Sequence, residues 1–209
     1  MLCLRSALFS ILLIYTGQLR TWIIGDSIIK GAGFKQKQLR GGGRVFWDGI
    51  SGARIAGVAT WLRDIRRPFP TTIIIHLGTN DIFSTPLLEV RERIELTLSG
   101  VRNFFPLTRI IWSLIIPRNY FHHQKRRGAG AGCARTINNH AIRICRSMPN
   151  THVIGYGKIL PVRFSHLFRY DGLHLSKEGD FVFKQHLEQA LLFFNAYPEE
   201  FEFPKKDCV

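Results

Sequence analysis

An α/β fold is predicted for this chain of 209 residues: a three-layer α/β/α sandwich around a mainly parallel, five-stranded sheet. Three observations predict it. Short apolar runs alternate with longer stretches of helical period, the order expected of successive strand–helix units. Several runs are β-branched with no polar alternation, as in parallel strands buried on both faces. The composition, 45% hydrophobic and 21% charged, is that of a globular chain long enough for one sizeable core, and not of a disordered one.

The first 20 residues stand apart from this pattern. Arg5 precedes an apolar run over residues 7–15, about the length of a signal-peptide core and too short to span a membrane. Tyr15, two places before Gly17, makes a poor cleavage site. A signal-like segment and an uncleaved or foreign arm therefore both stay open. An intracellular location is slightly preferred, and secretion would follow if the segment is cleaved.

Strands are expected at residues 21–24, 44–47, 72–77, 109–115 and 152–154. Helical spacing of apolar residues is expected over 53–65, 86–104 and 134–146, with Leu87, Leu88, Ile94, Leu98 and Val101 approximating one face of the second. A last helix over 177–194 follows Ser176 as its N-cap, with Gly179 as a weak point. The Arg-Gly-Ala-Gly-Ala-Gly stretch at 127–132 reads as a flexible surface loop. One domain over residues 21–196 and a tail over 197–209 complete the organisation, with no internal repeat.

The net charge of +14 is the unusual entry in the composition. Such a field attracts phosphates, anionic lipid surfaces and acidic partners, and salt weakens that attraction. The four cysteines make no framework: there is no CxxC and no zinc spacing, and Cys133 and Cys145 read as free thiols in or near the core. His76, inside an apolar run, reads as a satisfied core histidine. His122-His123 reads as part of a solvated loop, and the other histidines have no partner at metal spacing. Neither a metal nor an organic cofactor is expected.

Three short motifs carry chemistry. Gly25-Asp26-Ser27 leaves the first apolar run, Gly78-Thr79-Asn80-Asp81 leaves the third, and Asp171-Gly172-Leu173-His174 puts a carboxylate three residues before an imidazole. Taken singly, the first two are also ordinary turns, and the Asp-x-x-His spacing occurs by chance in many chains. Together they supply a nucleophile, its base and the group that orients the base. In a doubly wound sheet, the ends of the strands bring such loops together.

In these blocks the chain resembles the SGNH hydrolase superfamily, also called GDSL esterases/lipases, over roughly residues 22–194. Gly52, in Gly49-Ile50-Ser51-Gly52-Ala53, matches the glycine block, and Ile28 stands where the family name has Leu. The phrase Ile111-Trp112-Ser113-Leu114-Ile115-Ile116-Pro117-Arg118 is similar to SGNH-like domains of vertebrate genomes, some associated with retrotransposons. The resemblance implies a flavodoxin-like fold and a catalytic triad of Ser27, Asp171 and His174. It also implies an oxyanion hole from the Ser27 and Gly52 N–H groups and the Asn80 amide. The implied reaction is hydrolysis of a carboxylic ester (short acyl, acetyl or lipid) through an acyl-enzyme. An inactive module binding nucleic acid or an anionic membrane through its positive charge is the competing expectation. It lacks a zinc knuckle, a helix-turn-helix signature and aromatic/basic interleaving.

Overall fold

A computed structural model describes residues 19–33, 38–64, 68–118, 120–121, 128–161 and 163–204. The apolar run at 7–15 and the histidine pair at 122–123 lie outside the described residues. The strands are β1 (Arg20–Gly25), β2 (Gln38–Leu39), β3 (Gly43–Gly49), β4 (Thr72–His76), β5 (Arg109–Ser113), β6 (Thr151–Ile154) and β7 (Glu202–Phe203). The helices are α1 (Ser27–Ala32), α2 (Val58–Asp64), α3 (Leu87–Phe104), α4 (Ala129–Ser147) and α5 (Lys177–Ala196).

Among the described residues the sheet has seven strands, not five, in the order β2-β3-β1-β4-β5-β6-β7. All neighbours are parallel except β2 and β3. The two additional strands are edge strands of two residues each, too short to carry a hydrophobic period of their own. β7 lies in the segment expected as a tail, and its pairing with β6 joins that segment to the sheet.

Alternation along the central strands divides the core in two. Trp22, Ile24, Ile73, Ile75, Ile110 and Trp112 face α2, α3 and α4, where Val58, Ile94, Leu98 and Ile137 meet them. Ile23, Ile74 and Ile111 face α1 and α5, against Ile28, Ile29, Phe183, Leu187 and Phe194. A strand buried on both faces has no polar side, which is why these runs read as continuous Ile and Trp.

The glycine-rich stretch departs from its expected loop. Gly128 takes a left-handed φ of 81° and caps α4, whose first turn is made by Ala129, Gly130, Ala131 and Gly132. Glycine costs about 1 kcal/mol in a helix relative to alanine, and tertiary packing overrides it here: Gly130 is buried along with Ala134, Ile137, Ala141 and Cys145. Cys145 behaves as a buried apolar residue, its thiol pushed up to about 12 by burial.

Gly179 is a packing requirement and not a weak point. α5 starts at the Ser176 cap, whose side chain accepts the Gly179 N–H at 3.1 Å. A Cβ on Gly179 would stand 2.0 Å from the Leu167 carbonyl oxygen, a backbone atom that cannot swing aside. Gly179→Ala is expected to destabilise the protein by about 1–3 kcal/mol, as for other overpacked sites. The check is the urea midpoint, which should fall with the slope unchanged.

Candidate active site

Three strands end level with one another. Gly25 is paired with Gly49 on one side and with His76 on the other. The loops leaving them are stitched across the same edge, with Ile50 N–H donating to the Gly25 carbonyl at 3.0 Å and Asp26 N–H to the His76 carbonyl at 3.3 Å. Gly25 is required by this closeness: a Cβ there would meet Ile29 Cγ1 at 2.3 Å and the His76 carbonyl oxygen at 2.6 Å. Register thus brings the Ser27, Gly52 and Asn80 loops to one end of the sheet, the carboxyl end where α/β folds hold ligands.

Asp26 caps α1, its Oδ1 accepting the Ile28 N–H at 2.9 Å. That leaves Ser27 as the first residue of the helix, half-buried, with an N–H that has no intrahelical acceptor. Gly52 is exposed and has a left-handed φ of 76°, with open space where a Cβ would stand. Its N–H has no acceptor among the described residues. Asn80 donates one of its two amide hydrogens to the Ala53 carbonyl at 3.0 Å, so the other remains available.

Asp81 was not singled out from the sequence, yet it organises this loop. It is fully buried; its Oδ2 accepts the Ile55 N–H at 3.2 Å, and the Arg93 guanidinium lies 3.6 Å from Oδ1. Burial raises its carboxyl above the usual range, and the Ile55 N–H and the Arg93 charge oppose that rise. Asn80 and Asp81 together tie the 53–55 segment to the turn after β4. A carboxylate directly after the asparagine was the available signal, but its partners are supplied only by the fold.

Asp171 and His174 come from the loop before α5. Gly172 turns it with a φ of 61°, and buried Leu173 and Leu175 anchor it. Arg169 N–H donates to the His174 carbonyl at 2.7 Å, and Arg169 Nε to the Leu175 carbonyl at 3.0 Å. Asp171 Oδ1 accepts the Leu173 and His174 N–H groups at 2.8 and 2.9 Å, while Oδ2 faces His174 Nδ1 at 2.7 Å. His174 Nε2 then lies 3.1 Å from Ser27 Oγ, 147 residues away in the chain. With Nδ1–H donated to the carboxylate, Nε2 is left as an acceptor for the serine hydroxyl.

Burial would raise the Asp171 carboxyl, but the His174 N–H and imidazole, the Leu173 N–H and the His174 charge outweigh it and hold the group at about 2. A carboxyl lowered from 3.8 to about 2 adds stability that is complete above 3.8 and lost as pH falls through 2. The stability difference between wild type and Asp171→Asn is therefore expected to shrink as pH falls from 3.8 towards about 2. Unfolding midpoints measured down to pH 2 would check this; a difference already shrinking at pH 6 would contradict it.

His76 does sit in the core, 1% exposed, but it is satisfied on one nitrogen only. Its Nδ1 meets Ser113 Oγ at 2.8 Å, Ser113 meets the Tyr156 hydroxyl at 2.6 Å, and Nε2 has no partner among the described residues. Burial, chiefly, holds the imidazole down at about 4, so it stays neutral near neutral pH.

The model of the GDSL-like lipase/acylhydrolase family matches residues 23–180. Comparison with curated proteins gives no match. Among solved structures, a protein from Streptococcus pneumonia is 21% identical, covering 83% of this chain and 84% of that chain, with a TM-score of 0.68. A GDSL-like lipase from Bacteroides thetaiotaomicron is 16% identical over 83% of this chain and 88% of its own, with a TM-score of 0.66. A carbohydrate esterase of family 3 from Talaromyces cellulolyticus is 17% identical over 84% of this chain and 97% of its own, with a TM-score of 0.56. At these identities the three structures share the fold, and the family rests on the match over most of the chain. The chain belongs to the GDSL-like lipase/acylhydrolase family and is an ester hydrolase of the SGNH type.

Proposed function

We propose that the protein cleaves carboxylic esters of small molecules or lipids by acyl transfer to Ser27. The observation that carries this reading is the unbroken line of contacts from Asp171 through His174 to Ser27, at 2.7 and 3.1 Å. A serine hydroxyl needs a base to become a nucleophile, and the imidazole is placed to be that base.

Ser27 Oγ attacks the carbonyl carbon of the ester as His174 Nε2 takes its proton, and Asp171 stabilises the imidazolium. The carbonyl oxygen becomes an oxyanion held by the Ser27 and Gly52 N–H groups and by the second Asn80 amide hydrogen. A helix N-terminus at Ser27 adds a favourable dipole. His174 returns its proton to the departing alkoxide and the C–O bond breaks, leaving acyl-Ser27. Water then attacks the acyl carbon with His174 as base, and the same steps in reverse order release the carboxylic acid and restore the serine. Relatives in the fold described as a lipase and as a carbohydrate esterase set the range of esters worth testing.

A chromogenic acetyl ester, followed by an acyl-chain series, tests the reading. Turnover by the wild type is expected, and Asn80→Ala should lower kcat by roughly 10²–10³ with KM little changed, the loss typical of one oxyanion donor. Folded protein with no turnover on acetyl through medium-chain esters would contradict it.

A further inference from the structure

We propose that Arg118 is a positioning residue of the acyl-transfer site, a buried cation that steadies the oxyanion loop through Thr79 and favours negative charge on the tetrahedral intermediate. The proposal rests on the serine-hydrolase reading above.

Arg118 lies in the segment after β5 and is only 4% exposed. Its Nη2 is 3.4 Å from Thr79 Oγ1, a long contact to a buried residue next to Asn80. Its Nε has no hydrogen-bond partner among the described residues, and no carboxylate there lies within ion-pair distance of the guanidinium. Burying a charge with so little direct compensation is costly, so its place needs a reason. Burial lowers its affinity for the proton, while the charges of Asp26 and Asp171 oppose that from farther off. Those two carboxylates precede Ser27 and orient His174. Two residues on, Tyr120 Cβ approaches within 3.8 Å of where a Gly172 Cβ would stand, so this segment also borders the Asp171–His174 loop.

Arg118 is therefore a buried cation against the turn that carries Asn80, with the Asp26 and Asp171 charges near enough to act on it. A fixed positive charge in that position does little for a neutral ester and more for a developing oxyanion, especially where water is excluded. Its loss should appear in kcat and leave KM nearly constant. An arginine that merely filled space predicts the opposite. Replacement of a buried ion by an apolar chain of similar length is then neutral or stabilising, with turnover kept.

The test compares Arg118→Met, Arg118→Lys and Thr79→Val with the wild type on the chromogenic ester. A trifluoromethyl ketone, which forms an anionic adduct with an active serine, serves as the second readout. Arg118→Met is expected to lower kcat roughly 30-fold at constant KM and to weaken the ketone by a similar factor. Arg118→Lys should keep kcat within about fivefold, and Thr79→Val should lower it about threefold. Arg118→Met with kcat within about twofold of wild type, or with a loss in KM only, would overturn the proposal. If Arg118→Met fails to fold, Thr79→Val with unchanged kcat and ketone affinity would overturn it equally. Wild-type turnover that vanishes in Ser27→Ala and persists in Arg118→Met defeats this inference and leaves the hydrolase reading standing. Wild-type protein without Ser27-dependent turnover defeats both.

Discussion

Ser27→Ala is expected to lower kcat on any ester substrate by roughly 10⁴–10⁶, the range seen when a serine hydrolase loses its nucleophile. The size follows from the proposed mechanism: without Oγ there would be no acyl-enzyme, and only water oriented by the oxyanion donors could attack. Folding should be little affected. The helix cap belongs to Asp26, whose Oδ1 binds the Ile28 N–H, and Ser27 lends only its Oγ to the 3.1 Å contact with His174. Steady-state kinetics beside a thermal unfolding curve checks both halves. An equal loss of kcat and of folded protein would mean a structural serine.

His174→Ala is expected to cost kcat a comparable factor, roughly 10⁴–10⁶. In the proposed mechanism the imidazole both takes the serine proton and returns one to the leaving alkoxide, and no other described base is within hydrogen-bond reach of Ser27 Oγ. The Ser27→Ala/His174→Ala double variant should then be about as slow as either single one, because the pair acts as a unit. Losses that multiply would show that the two residues work independently. Asp171 would lose its side-chain partner in this variant but keep the Leu173 and His174 N–H bonds on Oδ1, so the loop should hold.

Burial on both sheet faces leaves the β-branched signature that made β1, β4, β5 and β6 legible, whereas β3, mostly half-buried, was legible from its short Val-Phe-Trp run. β2 and β7 were not legible: two residues have no period, and their place is set by the neighbouring strand. The start of α4 was not legible because glycine at every second position lowers helix propensity, and the contacts that offset it lie on other elements. The Gly-Asp-Ser and Asp-Gly-Leu-His blocks were legible as candidates because each carries its residue types within four positions. The part played by Asp81 and that proposed for Arg118 were not, since they depend on Ile55, Arg93 and Thr79, which only the fold brings near. Gly179 was misjudged for the same reason, as the Leu167 carbonyl that excludes a side chain is invisible in the chain.

The most direct test of the account is mass spectrometry of the protein after reaction with a fluorophosphonate, which labels activated serines covalently. The account predicts one adduct, mapped to the peptide containing Ser27, and none in Ser27→Ala or His174→Ala. Folded wild type that stays unlabelled, or a label carried equally by Ser27→Ala, would contradict it.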